Sequence, residues 1–146
     1  MIRTLLFGWS GTLADDLPSV LVAVNGMLRT ARRSELTRRE FQARFRLPYT
    51  EFFEEMLPGT PLADLQELYL AHFPHEHEGV ELLPHAAEFL RYAAATGRRM
   101  VVLSSAPARH VEAQARALGV RDAFEVMRCG VVDKREEIHS LLAELD

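Results

Sequence analysis

The sequence predicts an α/β protein in which helices cover a short parallel sheet. Three apolar runs, at residues 2–7, 98–105 and 122–130, have the length and residue content that are typical of buried strands. Segments with the apolar spacing of helices separate these runs. Strands that alternate with helices of this length form parallel sheets wrapped on both faces, so we expect a layered α/β core.

The region after the first strand is predicted to be entirely helical. Asp16 can cap a first helix that carries Pro18 in its first turn, and Thr37 to Glu40 form a capping box that starts a second helix. Thr50 and Thr60 are candidate caps of two more helices. We therefore predict a core of residues 1–16 and 80–146, interrupted by a helical cap at 17–79.

Three further helices are predicted in the second part of the core. The first begins near Pro84, turns Phe89 inward and ends at Gly97, and the second spans residues 108–119. The last begins at a capping box of Asp133 and Glu136.

Composition and charge exclude several classes of protein. The chain has 146 residues and a formal charge of -4, and no apolar stretch approaches the length of about 20 residues that crosses a membrane. No export signal is visible at the start, and Cys129 is the only cysteine, which indicates a reducing cytoplasm and no internal disulfide. Arginines crowd residues 29–46 and acids follow them, a pattern of solvated helix faces that does not favour nucleic acid.

Three short motifs lie at the ends of the predicted strands. They are "FGWSGTLADD" at 7–16, "VVLSSAP" at 101–107 and "DKREEI" at 133–138. Together they resemble the haloacid dehalogenase superfamily, and specifically its phosphoglycolate-phosphatase-like branch with a small helical cap. The resemblance covers essentially the whole chain and implies a Rossmann-like core. It aligns Ser104 with the serine or threonine of the second motif and Lys134 with the lysine of the third.

The first motif departs from the pattern of that family at two decisive positions. The family has Phe-Asp-x-Asp-Gly-Thr-Leu-x-Asp, and Gly8 and Ser10 stand where the two aspartates belong. The resemblance implies that the first aspartate attacks phosphorus and that the second moves a proton, while Mg²⁺ is held by the first aspartate and by acids of a fourth motif that would follow Asp146. A glycine has no side chain, and a hydroxyl cannot shuttle a proton as a carboxylate can. We therefore expect a catalytically silent protein, with no cofactor and no metal site.

Anion binding is the activity that these residues could retain. Gly11 and Thr12 supply N–H groups at a turn, Ser104 supplies a hydroxyl, and Lys134 supplies an ammonium at the start of a helix. Lys134 is also the only lysine among 17 basic residues. A small phosphorylated or anionic ligand is therefore the expected partner.

Three alternatives remain open at this stage. The chain could be a weak Mg²⁺-dependent phosphomonoester hydrolase that another chain completes. The "GWSGT" stretch comes close to a nucleophile elbow, with His110 or His139 as a base, but no acid partner is recognisable. The stretch at 72–79 offers donors for zinc, although a solvated hinge fits its alternating spacing better; the donors are His72, His75, Glu76, His77 and Glu78.

The first strand is also expected to lie at an edge of the sheet. The resemblance implies that the strand of the fourth motif would pair with it. An apolar edge strand is a template for pairing, so we predict a homo-oligomer or a protein partner at this edge.

Overall fold

The computed structural model describes residues 1–74 and 78–146. The chain divides into two compact units, one formed by Met1–Asp16 with Glu76–Asp146 and the other by Leu17–His75. The strands are β1 Thr4–Phe7, β2 Ala14–Asp15, β3 Glu81–Leu82, β4 Arg99–Leu103 and β5 Val126–Arg128. The helices are α1 Leu17–Thr30, α2 Arg38–Arg44, α3 Tyr49–Met56, α4 Leu62–His72, α5 Ala86–Ala95, α6 Ala108–Ala117 and α7 Lys134–Leu145.

The first unit is built on a three-stranded parallel sheet in the order β1-β4-β5. The register aligns Leu6 of β1 with Val101 of β4, and Val101 with Val126 of β5. The side chain of Val101 packs on Leu141 of α7, whereas its neighbour Val102 belongs to the apolar cluster on the opposite face, which α5 and α6 cover. Helices therefore cover both faces, and the predicted α/β class is confirmed.

A second sheet was not predicted. β2 and β3 pair antiparallel, with Ala14 opposite Leu82 and Asp15 opposite Glu81. Each strand has two residues. A segment of this length is too short to show the alternation by which strands are recognised in a sequence.

The second unit consists of α1 to α4 around its own apolar cluster. The predicted capping box is confirmed, since Thr37 Oγ1 accepts from the Glu40 N–H at 3.1 Å and Glu40 Oε1 accepts from the Thr37 N–H at 3.1 Å. The caps predicted at Thr50 and Thr60 are wrong, because α3 and α4 begin directly after Pro48 and Pro61. Each proline lies at the N-cap with extended backbone and caps without a side-chain hydrogen bond, and its missing N–H leaves no additional donor unpaired there.

Two predictions about the core helices also need correction. Phe89 is 46% exposed, and its ring lies against Phe7 with the ring centroids 5.9 Å apart, so it lies at the margin of the core. Asp133 does cap α7, but its carboxylate accepts from the N–H of Arg135 at 2.9 Å and the reciprocal bond of a capping box is not among its contacts.

Within the described residues, every helix is too short or too polar to cross a lipid bilayer.

Candidate functional site

The candidate site lies at the carboxyl edge of the parallel sheet. Gly8 follows β1, Ser104 follows β4, and Lys134 begins α7 after β5. The carboxyl ends of parallel strands face the same side, so the fold brings these residues to one edge.

The loop after β1 is a tight turn held by its own backbone. The carbonyl oxygen of Trp9 accepts from the N–H groups of Thr12, Leu13 and Ala14 at 3.0–3.1 Å, and the Gly11 N–H donates to the Ala14 carbonyl at 2.9 Å. Gly11 has a φ of +74°, a backbone conformation that residues with a side chain rarely adopt. The N–H groups of Gly11 and Thr12 are therefore used within the turn. The sequence assigned these two N–H groups to an anion, whereas in this structure they donate to the Ala14 and Trp9 carbonyls.

A cation and a hydroxyl face the position where Gly8 lacks a side chain. A Cβ atom built on Gly8 would lie 3.7 Å from Nζ of Lys134 and 2.9 Å from Oγ1 of Thr12. Thr12 thus reaches this space through its hydroxyl and not through its backbone. The arrangement leaves an ammonium beside a position that, in the family pattern, carries a carboxylate.

Lys134 is half-buried, and no described residue gives it a hydrogen bond or an ion pair. Burial lowers the pKa of its ammonium, because the charged form loses hydration without a counter-ion to replace it. The neighbouring Arg135 differs in both respects, since its side chain is 81% exposed and pairs with Asp133 at 2.8 Å. The described part of the site therefore holds an uncompensated positive charge.

Ser10 has a partner that the sequence did not suggest. Its hydroxyl donates to Oδ2 of Asp16, which is only 5% exposed. Burial raises the pKa of Asp16, while the hydrogen bond from Ser10 opposes that rise. The position of Asp16 just before a helix suggested a cap, and nothing in its spacing indicated the contact with Ser10.

The loop after β4 is anchored by Ser104. This residue is 2% exposed, its Oγ accepts from the Ala106 N–H at 3.1 Å, and its carbonyl accepts from the Val131 N–H at 3.1 Å. The next residue, Ser105, has a buried hydroxyl with no hydrogen-bond partner among the described residues. A buried hydroxyl without a partner costs free energy unless water or a ligand meets it. Sequence reasoning passed over Ser105, although the paired serines at a strand end could have drawn attention to it.

The structure also bears on the two other candidate sites. Ser10 donates to Asp16 and not to a histidine, so the arrangement of a nucleophile elbow is not formed. His72 lies at the end of α4, where its Nε2 is 3.0 Å from Oγ1 of Thr30. His75, Glu76 and His77 lie outside the described residues, so the zinc hypothesis stays a prediction.

A parallel α/β unit, interrupted after its first strand by a helical unit and carrying polar side chains at its carboxyl edge, defines the class of capped Rossmann-like proteins. The chain belongs to the haloacid dehalogenase-like hydrolase family, whose sequence profile matches residues 2–144. No curated protein sequence is significantly similar to this chain.

Solved structures share the fold over nearly the whole chain. CbbY from Rhodobacter sphaeroides, crystallised with phosphate, is 25% identical with a TM-score of 0.81, and the match covers 100% of this chain and 73% of CbbY. A variant of CbbY in complex with xylulose-(1,5)-bisphosphate gives 25% identity, a TM-score of 0.77 and the same coverage. A predicted phosphoglycolate phosphatase from Haemophilus somnus is 15% identical with a TM-score of 0.77, and the match covers 99% of this chain and 72% of that one.

The described residues do not fit the Mg²⁺ site of this family. Mg²⁺ needs hard oxygen ligands in an octahedral array. Gly8 offers none, the Ser10 hydroxyl donates to Asp16, and the Lys134 ammonium stands beside the space. Among residues 1–74 and 78–146, no group of three or more His, Cys, Asp or Glu side chains is placed to hold a metal ion.

Proposed function

We propose that this chain binds phosphate or a small phosphorylated anion beside Gly8 and does not form an aspartyl-phosphate. The observation that carries the proposal is the position of Lys134, whose ammonium lies 3.7 Å from the place of a Cβ on Gly8. No described carboxylate neutralises it. An anion that enters this space replaces the missing counter-ion.

Two hydroxyl groups at this edge of the sheet also support an anionic ligand. The Thr12 hydroxyl borders the same space, and the buried Ser105 hydroxyl lacks a partner among the described residues at the end of the adjacent strand. Hydroxyl and ammonium groups donate hydrogen bonds, which phosphate oxygens accept. CbbY, at 25% identity, was crystallised with phosphate, which agrees with this choice of ligand.

The absence of hydrolysis follows from the same positions. The nucleophile of the family is a carboxylate at position 8, where this chain has Gly8, and the proton-transfer carboxylate is replaced by Ser10. Loss of a nucleophile typically lowers kcat by factors of thousands or more. The chain therefore retains a site for the phosphate group without the side chains that attack it.

Isothermal titration with inorganic phosphate tests the proposal, without and with Mg²⁺. We expect binding that Mg²⁺ does not enhance. Lys134→Gln should weaken it about ten- to hundredfold, since a hydrogen bond to a charged group contributes about 1.5–3 kcal/mol. Arg135→Gln is the matched control, because it removes a cation one residue away that is exposed and already paired. Equal losses in the two variants would refute a specific role of Lys134.

A second variant tests the geometry at Gly8. Gly8→Asp places a carboxylate next to Lys134, and we expect it to abolish phosphate binding by taking the place of the anion. The φ of Gly8 is not positive, so a side chain adds no backbone strain, and the Thr12 hydroxyl can rotate away. Gly8→Ala, which fills the same space without charge, should weaken binding less.

Turnover distinguishes this proposal from a weak hydrolase. We expect no Mg²⁺-dependent hydrolysis of p-nitrophenyl phosphate by the unmodified chain. The double variant Gly8→Asp, Ser10→Asp restores both carboxylates and provides the comparison. Mg²⁺-dependent turnover by the unmodified chain that disappears in Lys134→Gln would overturn the proposal.

A further inference from the structure

The second unit contains a cavity between α1 and the segment that leads into α2. Its volume is about 370 Å³, and every residue that lines it belongs to this unit. The apolar part of the lining comes from the first half of α1, namely Leu17, Pro18, Leu21 and Val22. Small-molecule sites are concave, largely apolar and about 300–1,000 Å³ in volume. The cavity therefore has the size and the lining of a site for a small ligand.

The wall opposite α1 is held in place by two polar contacts. The side chain of Asn25 uses both of its polar atoms, since Nδ2 donates to the Leu36 carbonyl at 2.9 Å and Oδ1 accepts from the Leu36 N–H at 2.8 Å. One turn further along α1, Arg29 pairs with Glu35 at 2.5 Å. Walls that are fixed before a ligand arrives reduce the ordering cost of binding. The cavity is therefore preformed.

The charges around the cavity leave one cation in excess. Its three charged side chains are those of Arg29, Glu35 and Arg38. The first two neutralise each other as an ion pair. Arg38 is exposed, and its guanidinium has neither a hydrogen bond nor an ion pair with any described residue. The cavity thus combines an apolar surface with one available guanidinium.

We propose that this cavity binds a small amphipathic carboxylate, with its hydrocarbon part on Leu21 and Val22 and its carboxylate on Arg38. A guanidinium presents parallel N–H donors that match the two oxygens of a carboxylate. Removal of the hydrocarbon part and of the α1 side chains from water supplies the non-specific part of the affinity.

Charge complementarity is the reason for choosing this class of ligand. A neutral apolar molecule leaves Arg38 without an anion, and a small inorganic anion leaves the apolar side of the cavity in water. A molecule with one carboxylate and one hydrocarbon part satisfies both. The inference does not depend on the proposed function, because Gly8 and Lys134 belong to the first unit.

Isothermal titration of the full chain with octanoate and with 1-octanol tests the inference. We expect saturable binding of one octanoate per chain and weaker binding of the uncharged alcohol. Arg38→Gln should weaken octanoate binding about tenfold and leave the binding of 1-octanol unchanged, since it removes a charge-assisted hydrogen bond. Arg39→Gln is the matched control, because it removes an exposed cation that does not line the cavity. Equal losses in the two variants, or no saturable binding of octanoate, would refute the inference.

A pair of variants at Val22 tests the apolar side of the cavity. Val22 is 52% exposed, so a polar side chain is tolerated there, and circular dichroism checks that the helices are retained. Val22→Asp places a carboxylate in the cavity and should abolish octanoate binding, whereas Val22→Asn, of nearly the same shape, should weaken it less. Identical affinities of these two variants and the unmodified chain would place octanoate elsewhere.

Nuclear magnetic resonance of the ¹⁵N-labelled chain locates the ligand. We expect octanoate to shift the amide signals of residues 17–38 and to bind Lys134→Gln as tightly as the unmodified chain. Shifts around Gly8 together with weaker binding to Lys134→Gln would assign octanoate to the anion site and overturn the inference. A dimer of the unmodified chain that Val22→Asp dissociates would give the cavity to a second copy and overturn it as well.

Discussion

Gly8 shows how one missing side chain changes the electrostatics around it. The ammonium of Lys134 faces the vacant position at 3.7 Å from a Cβ built there. In the family pattern a carboxylate would stand here, and it would stabilise the ammonium. Without it, burial lowers the pKa of Lys134, and the charge state of this residue becomes sensitive to alkaline pH.

Phosphate binding should therefore begin to weaken at a lower pH than it would at a site whose lysine has the ordinary pKa of 10.5. In the proposed site the ammonium form of Lys134 is the form that holds the anion, and that form is lost as pH rises through a pKa that lies below the usual 10.5. Titration at pH 7.5, 9 and 10 measures the effect. Lys134→Arg is the control, because a guanidinium keeps its charge over this range, so its affinity should not fall. A constant affinity of the unmodified chain up to pH 10 would contradict the prediction.

Asp16 has a pH dependence of the same physical origin as Lys134, because burial disfavours the charged form of both groups, although the two pKa values shift in opposite directions. Burial raises its pKa above 3.8, so the folded state binds a proton more readily than the unfolded state. The contribution of Asp16 to the free energy of unfolding is therefore greatest below about pH 3.8 and decreases as pH rises through the folded-state pKa.

The variant Asp16→Asn should remove this decrease. Its amide oxygen can still accept from Ser10, and it buries no charge at neutral pH. We expect the loss of stability between pH 4 and pH 7 to be smaller in the variant, as measured by urea unfolding. Asp64→Asn, at an exposed position in the other unit, is the control for the removal of a carboxylate.

At the scale of elements, close approach of two helices determines the packing of the second unit. A Cβ built on Gly26 of α1 would lie 2.5 Å from Nδ1 and 2.8 Å from Cβ of His72 in α4. Real Cβ atoms do not tolerate these distances. Gly26 is therefore required for contact between the two helices, although it lowers the helix propensity of α1.

Gly26→Ala should destabilise the protein. The gain in helix propensity is about 1 kcal/mol, and the cost of overpacking a closely packed contact is about 1–3 kcal/mol. We expect the cost to exceed the gain and to lower the midpoint of urea unfolding. Val22→Ala, at an exposed position of the same helix, should change stability by no more than about 0.5 kcal/mol. A more stable Gly26→Ala would show that α1 and α4 separate easily.

The turn after β1 and the helix α6 are linked in a similar way. Trp9 is 1% exposed, and its indole N–H donates to Oε1 of Gln114 at 2.7 Å. This bond fixes the base of the turn that carries Ser10 and Gly11. The buried hydrogen bond between Trp9 and Gln114, which are far apart in the sequence, thus holds the loop of the candidate site in position.

At the scale of the whole molecule, ligand binding and folding are coupled. A ligand that binds only the folded state stabilises it by RT ln(1 + [L]/Kd), which is about 2.7 kcal/mol at a concentration of 100 Kd. Phosphate should therefore raise the Tm of the unmodified chain in a concentration-dependent way. The Tm of Lys134→Gln should not rise with phosphate. Sodium chloride at the same ionic strength should not raise the Tm of either protein. A rise of equal size in both proteins would indicate a general salt effect.

The sequence by itself determined the α/β class and the order of the main helices and strands. These follow from apolar periodicity and from local signals such as the Thr37–Glu40 capping box, which act over a few residues. The sequence also shows Gly8 and Ser10 at the two positions where the resemblance expects aspartates.

Only the tertiary structure decided which groups the site can use. In the folded chain, the side chains of Thr12 and Lys134 lie beside Gly8. The Ser10 hydroxyl donates to Asp16, and the N–H groups of Gly11 and Thr12 donate to carbonyls of their own turn. Lys134 is more than 100 residues from Gly8 along the chain, and no local pattern encodes such a contact. The packing of distant segments decides which hydrogen-bond partner a side chain has and how much of its hydration it loses. These two effects set the pKa values of Lys134 and Asp16, and therefore the charge of this site.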